Sequence, residues 1–543
     1  MAVNETTLGR NVLTKRAAML AAARIVAFAI TIPLPLVLVR TLSQSEFGLY
    51  KQVFQILMTV LALAGLQVNM SVLYFLPRNP DKKPQIALNV LAFYAVVGSL
   101  IALVFAVYPG WVTIIFKGDG LVPHIPLLGF AILLWLLSTV LDAVAVADND
   151  IRSASVFVVV VQLTKSALLM GAAMLFGSVH AVVVAAVVQG AVHCLIMFVY
   201  LHRRFGRFWG TFDWTLFKAQ LANALPFGIG GLAYATQADL HNYFVSHYFD
   251  PDQFAIYAVG CFQLPLLSML FEAVVNVLLP EVARREAKAD YDGIITLWAA
   301  AIRKLALFFV PTYVLLFVVR HEFITTLFTK NYDAAAPIFA INLLGILLIL
   351  CMPTSILRSF EELKYFRLKL SLAMIPVACV ALYLGIQAGG LIGAITAYVT
   401  VQTLDLAILM VALGRRLKMS PRDITRLSPL LRILAAAAIA GFAAFGVRLA
   451  LAGSHAFITL VVCSLVFGMV CLIAIFVIGA VTKSEKAEIR VALLKYSRLG
   501  SRRLGLSQWK EEPVVASLCG RPSLLQPPFD IEEGRQRRDA PTG

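Results

Sequence analysis

Apolar residues run in long blocks along nearly the whole chain, parted by short polar loops. A helix that crosses roughly 30 Å of hydrocarbon takes about 20 residues at 1.5 Å each, and each block reaches that length. A soluble core needs no such runs. The blocks predict helices over 17–39, 53–76, 86–109, 121–147, 153–176, 179–201, 221–248, 254–279, 298–319, 334–357, 366–386, 390–413, 430–452 and 456–481. The fold class expected is therefore all-α, a polytopic membrane protein of about 14 transmembrane helices. The fifth and sixth helices are joined by only Gly177 and Ser178.

Lysines and arginines set the orientation. With a cytoplasmic N-terminus, the cytoplasmic loops hold Lys82, Lys83, Arg203, Arg204, Arg284, Arg285, Arg358, Arg415 and Arg416, among others. The opposite loops hold only Arg40, Lys51, Lys117, Arg320 and Lys330. This is the positive-inside pattern, and it alternates from end to end. An even helix count returns the C-terminus to the cytoplasm. The N-terminal segment is polar and basic and leads straight into the first apolar block, so that block is expected to be a retained helix.

Composition agrees. Hydrophobic residues make up 60% of the chain and charged residues 14%, against about 25% charged in soluble proteins. The net charge of +16 sits mostly in short loops and the tail, so topology explains it better than a nucleic-acid partner. Most of the seven cysteines lie inside apolar blocks and none forms a C-x-x-C pair, so no disulfide framework is expected. The G-x-x-x-x-G-K-[ST] phosphate loop is absent, and His321-Glu322 is followed by Thr325 where H-E-x-x-H requires histidine. Neither a cofactor, a metal nor a catalytic centre is expected. The segment from Lys486 to Lys510 mixes apolar and basic residues and reads either as an amphipathic helix on anionic lipid or as a solvated extension.

A repeat runs through the chain. Ser45-Glu46-Phe47-Gly48-Leu49-Tyr50 matches Asp252-Gln253-Phe254-Ala255-Ile256-Tyr257, and each is followed by Leu-Pro and arginine: Leu76-Pro77-Arg78, and Leu279-Pro280 with Arg284. The copies lie six helices apart. An even period keeps orientation, so the halves are expected to be parallel about a pseudo-two-fold axis along the membrane normal.

The stretch Arg40-Thr41-Leu42-Ser43-Gln44-Ser45-Glu46-Phe47-Gly48-Leu49-Tyr50 resembles the signature of Wzx-type polysaccharide flippases, in the superfamily of multidrug, oligosaccharidyl-lipid and polysaccharide exporters. Gly65-Leu66, Tyr74 and Leu225-Pro226 fit the same pattern; His241 departs from it, standing where relatives are expected to carry arginine. The resemblance implies two six-helix bundles around a central cavity, with two further helices after them. The domains expected are a cytoplasmic N-terminus (1–16), a first bundle (17–201), a cytoplasmic linker (202–220), a second bundle (221–413), a basic loop (414–429), helices 13 and 14 (430–481) and a cytoplasmic tail (482–543). It further implies a bacterial inner-membrane transporter whose substrate is an oligosaccharide on a polyprenyl diphosphate. Membrane lipids, a polysaccharide polymerase and export machinery are the partners it suggests.

Moving a diphosphate through hydrocarbon requires polar and cationic partners, and ionisable residues inside spans are costly enough to mark function. Arg24, about one third of the way across the first helix, can pair two phosphate oxygens; the alternative is an arginine reaching the cytoplasmic face. Lys165 lies near the midplane of the fifth helix, as a cavity cation or a partner of Asp142 in the fourth. Arg40 and Lys51 flank the first outer hairpin, as head-group contacts or interfacial anchors. Glu272, Asp239 and Asp142 are candidates for ion coupling, with structural pairing as the alternative; Asp405 and His193 read likewise. Pro33, Pro35, Pro226, Gly228, Gly230 and Gly231 interrupt the first and seventh helices.

Two other functions compete. A cation-coupled multidrug antiporter would recognise its substrate through acidic or aromatic groups. A membrane glycosyltransferase or polymerase would want large periplasmic loops, and those here are short.

Overall fold

The computed structural model describes residues 19–210, 212–357, 359–360, 363 and 365–480. The N-terminal segment, Arg358, Lys364 and the tail with its 486–510 stretch lie outside them. The described chain is helical throughout, and strands are absent from it.

The first half holds α1 (Met19–Thr41), α2 (Gln44–Gly65), α3 (Val68–Phe75), α4 (Lys83–Val107), α5 (Ile125–Ala147), α6 (Ile151–Phe176) and α7 (Val179–Phe205). The second holds α8 (Trp214–Tyr248), α9 (Pro251–Gly260), α10 (Pro265–Glu286), α11 (Tyr291–Val318), α12 (Arg320–Phe328), α13 (Ala336–Asn342), α14 (Leu344–Ile349) and α15 (Phe366–Arg416). Then follow α16 (Pro429–Ala450) and α17 (Ala456–Val477).

Twelve helices among the described residues are long and apolar enough to cross a membrane, two fewer than the blocks predicted. The difference lies in two places. α15 counts once, yet non-helical Gly389 and Gly390 fold it into two arms, which touch where Gly393 meets the Gly385 carbonyl. α8 carries Gln220, Gln237, Asp239 and His241 and is not among the twelve.

Polar residues start many helices by accepting the amide hydrogens that a first turn leaves free. Ser43 caps α2 through Glu46 N, Asp150 caps α6 through Ser153 N, Ser178 caps α7 through Ala181 N and Asp213 caps α8 through Leu216 N. The α6–α7 hairpin turns through Gly177 in the left-handed region (φ 58°). The seventh helix begins at Trp214, inside the stretch expected to be a linker.

Among the helices expected to be continuous, two break within the repeat. The span predicted over 53–76 starts at Gln44 and divides at Leu66 and Gln67, both left-handed (φ 44° and 53°). Tyr94 repairs this break: its hydroxyl donates to Gly65 O (3.1 Å) and accepts from Asn69 N (2.9 Å). The span predicted over 254–279 divides into α9 and α10 between Gly260 and Pro265. Both belong to the repeat. Its two copies meet in space, because α2 packs on α9 with Phe47, Phe254 and Tyr257 buried.

The loops with Lys82, Lys83, Arg203 and Arg204 define a basic face. At the opposite face the halves join through α2 and α9, the Lys117–Asp250 ion pair (3.2 Å) and a bond from Lys117 N to Ser246 O. At the basic face α8 is tied to the first half. Asn89 Nδ2 donates to Gln220 Oε1 (3.0 Å), Gln220 donates to Ile86 O, and Lys82 pairs with Asp213 at 2.9 Å. Gly228 lies against the Leu66 backbone. By contrast, α10 packs chiefly on α11, and most of its surface is open.

Candidate functional site

Lys165 stands midway along α6, half-buried, with Nζ 4.6 Å from the centroid of the Trp135 ring on α5. The ring is fixed in turn: Nε1 donates to Ala186 O on α7 (2.9 Å), and Gly190 leaves it space. A cation over an indole face gains about 2 kcal/mol when desolvated. No carboxylate pairs with Lys165 among the described residues.

Arg24 is the charge near enough to Asp142 to act on its carboxyl, though no ion pair or hydrogen bond joins the two among the described residues. Both side chains are exposed. Asp142 is the exposed residue of an α5 stretch, Ala131 to Ala147, whose other members are buried or half-buried. The sequence left open a pairing of Asp142 with Lys165; no ion pair joins them among the described residues, and the charge near Asp142 is that of Arg24. The resulting arrangement offers one cation with an acid nearby and a second cation backed by an aromatic ring.

Arg40 and Lys51 sit at the opposite face, where the halves join. The Arg40 guanidinium donates to Leu36 O (2.7 Å) and to Thr326 O on α12 (2.8 Å), bridging the halves. Lys51 lies 5.4 Å from the Phe47 ring centroid and near Cys261 at the α9–α10 break. These two are part of a junction and are separate from Arg24 and Asp142.

The acidic candidates scatter. Glu272 is exposed on α10. Asp239 is half-buried on α8, one turn before Tyr243. Asp405 is buried and pairs with Arg367 at 2.5 Å, joining the two arms of α15. His193 is half-buried on α7, with Nε2 unpartnered.

Neutral polar groups also lie buried between the helices. On α8 the buried His241 ring meets Tyr398, and its Nδ1 is 2.7 Å from the Tyr257 hydroxyl. Gln52 and Gln55 on α2 and Gln237 on α8 keep both amide atoms buried and unpartnered. Their signal in the sequence was only a glutamine inside an otherwise apolar or signature-bearing run.

The comparisons with known proteins fit this architecture. A family described as polysaccharide biosynthesis protein matches residues 37–337. No curated protein sequence matches the chain. Among solved structures, the lipid II flippase MurJ in an inward closed conformation aligns with a TM-score of 0.62 at 13% identity, over 85% of this chain and 98% of that one. An inward-facing multidrug resistance MATE transporter of the MOP superfamily aligns at 0.57 and 15% identity, over 73% and 98%. A MOP superfamily transporter from Pyrococcus furiosus aligns at 0.50 and 13%, over 75% and 97%. At these identities the likeness is one of fold. This multi-pass membrane protein belongs to the polysaccharide biosynthesis protein family and has the fold seen in MurJ and the MATE transporters.

Proposed function

We propose that the protein is a flippase that moves a polyprenyl-diphosphate-linked oligosaccharide from the cytoplasmic to the periplasmic leaflet, by alternating access between its halves. Lys165 carries the reading. A lysine at mid-span costs about 2.5–3.5 kcal/mol on insertion scales, and among the described residues this one has an aromatic ring but no carboxylate to offset its charge. A diphosphate is the ligand that repays such a site. Arg24 supplies a second cation, with the Asp142 carboxyl near enough to act on its charge. Family membership and the likeness to a lipid II flippase support the same substrate class. With the basic face cytoplasmic, closure through α2 and α9 on the other side fits a state that receives substrate from the cytoplasm.

Neutralising Arg24 and Lys165 (Arg24→Gln, Lys165→Gln) in a strain depleted of the wild-type protein tests the reading. Glycan export should be lost while the protein still accumulates in the membrane. Normal export in the double variant removes both residues from the site.

The exposed Asp142 and Glu272 favour a second reading, a cation-coupled multidrug antiporter. Drug resistance on overexpression, abolished by Glu272→Gln, would establish it in place of the flippase.

A further inference from the structure

One face of α2 turns toward the second half. Gln44 Nε2 donates to Asp252 O (3.1 Å), Gly48 meets the Pro251 backbone, Lys51 lies by Cys261 and Thr59 faces Tyr243. These positions step by threes and fours or their multiple, which is one row of a helix. Gln52 and Gln55 belong to that row, Gln52 buried and Gln55 half-buried, each with both amide atoms buried and unpartnered. Gln52 is only 1% exposed.

Burying an amide without a hydrogen-bond partner is unfavourable, and a membrane span offers no water to rescue it. Leucine or methionine would fill the same space without that cost. Two such residues side by side, on the surface where two halves meet, are disfavoured in this closed arrangement.

We infer that Gln52 and Gln55 form a sugar-binding stripe, covered while α2 and α9 are together and exposed to the glycan when the halves part at this end. An amide carries both donors and acceptors, as a sugar hydroxyl does. It also carries no charge, so it neither competes with the cations for diphosphate nor traps it. The division of labour is spatial: Arg24 and Lys165 take the diphosphate, and the α2 stripe takes hydroxyl groups of the glycan as it leaves. This inference rests on the flippase reading and adds the neutral half of its substrate.

The test compares Gln52→Met/Gln55→Met, close in volume but apolar, with Gln52→Asn/Gln55→Asn, which keeps the amides. Each is expressed as the full chain in the depleted strain for glycan export, and purified for thermal unfolding. The methionine variant should unfold at or above the wild-type temperature and export about tenfold less, the weight of one lost polar contact. The asparagine variant should recover most of the export. Wild-type export from the methionine variant overturns the stripe alone. So does equal loss in both variants with a lowered unfolding temperature, which marks a packing role. Normal export without any copy of the protein, and with no paralogue present, overturns the flippase reading and the stripe together.

Discussion

Gly48 of α2 approaches Pro251 of α9 so closely that a Cβ at Gly48 would stand 2.0 Å from the Pro251 carbonyl oxygen. Backbone cannot give way as a side-chain tip can, so this junction depends on the missing side chain. Gly48→Ala is expected to push α2 and α9 apart, costing about 1–3 kcal/mol, as overpacking does. Thermal unfolding of the purified protein measures the loss. Labelling of Gln55→Cys by a membrane-impermeant maleimide should rise in the Gly48→Ala background; unchanged labelling and stability would mean that the junction is loose.

The α2–α3 break depends on a single hydroxyl. Tyr94 is 1% exposed and serves both Gly65 O and Asn69 N. Tyr94→Phe keeps the ring and strands both backbone groups, at about 1–3 kcal/mol each. The expected result is a clear fall in unfolding temperature with membrane insertion intact. A variant as stable as wild type would show that the break satisfies its backbone in some other way.

Charge and hydropathy made the spans and their alternation legible, because both follow from the bilayer as solvent. The same signal hid α2's start. Gln44, Glu46, Lys51 and Gln52 read as loop, yet the Ser43 cap begins the helix there and α9 covers it. Hydropathy reports transfer to lipid, and these residues are transferred to protein. The breaks at Leu66–Gln67 and Gly260–Pro265 were equally invisible, since an apolar run looks alike whether or not its dihedrals stay helical. Arg24, Asp142 and Lys165 could be found by their charge, but what surrounds each of them is a fact of helix packing. Gln52 and Gln55 carry no charge, and only their burial beside a second element sets them apart.

At the basic face, Asp148 ties three helices of the first half. Its carboxylate takes Lys83 at the start of α4 (2.7 Å) and Arg204 at the end of α7, just beyond the last residue of α5. Burial pushes the Asp148 carboxyl up, but the hydrogen bonds and charges of Lys83 and Arg204 together outweigh this and hold it below the ordinary 3.8. A carboxyl with a lowered folded-state pKa contributes stability that is fully present above the unfolded value. That contribution disappears as the pH falls through the folded value. Wild type should therefore lose this increment only below about pH 4. Asp148→Asn should be less stable at neutral pH and lose less on acidification. Parallel unfolding curves for the two proteins from pH 7 to pH 3 would remove Asp148 from this role.

Arg448 near the end of α16 donates through Nε to Glu322 Oε1 on α12 at 2.7 Å, and both side chains are largely buried. The pair fastens the last two helices to the second half at the face where the halves join. Taking one charge away leaves the other without its partner, which costs about 3–5 kcal/mol for a buried pair. Arg448→Met and Glu322→Met should each destabilise the protein by that order. The double variant should cost less than their sum, since the second change removes the stranded charge, with a coupling of about 0.5–3 kcal/mol. Glu322 Oε2 has no partner even in the native pair, so Arg448→Met should be the worse single change: it strands both carboxylate oxygens. Thermal unfolding of the four proteins closes the cycle. Additive effects under about 1 kcal/mol, typical of solvated surface pairs, would show that the ion pair does not hold α16 in place.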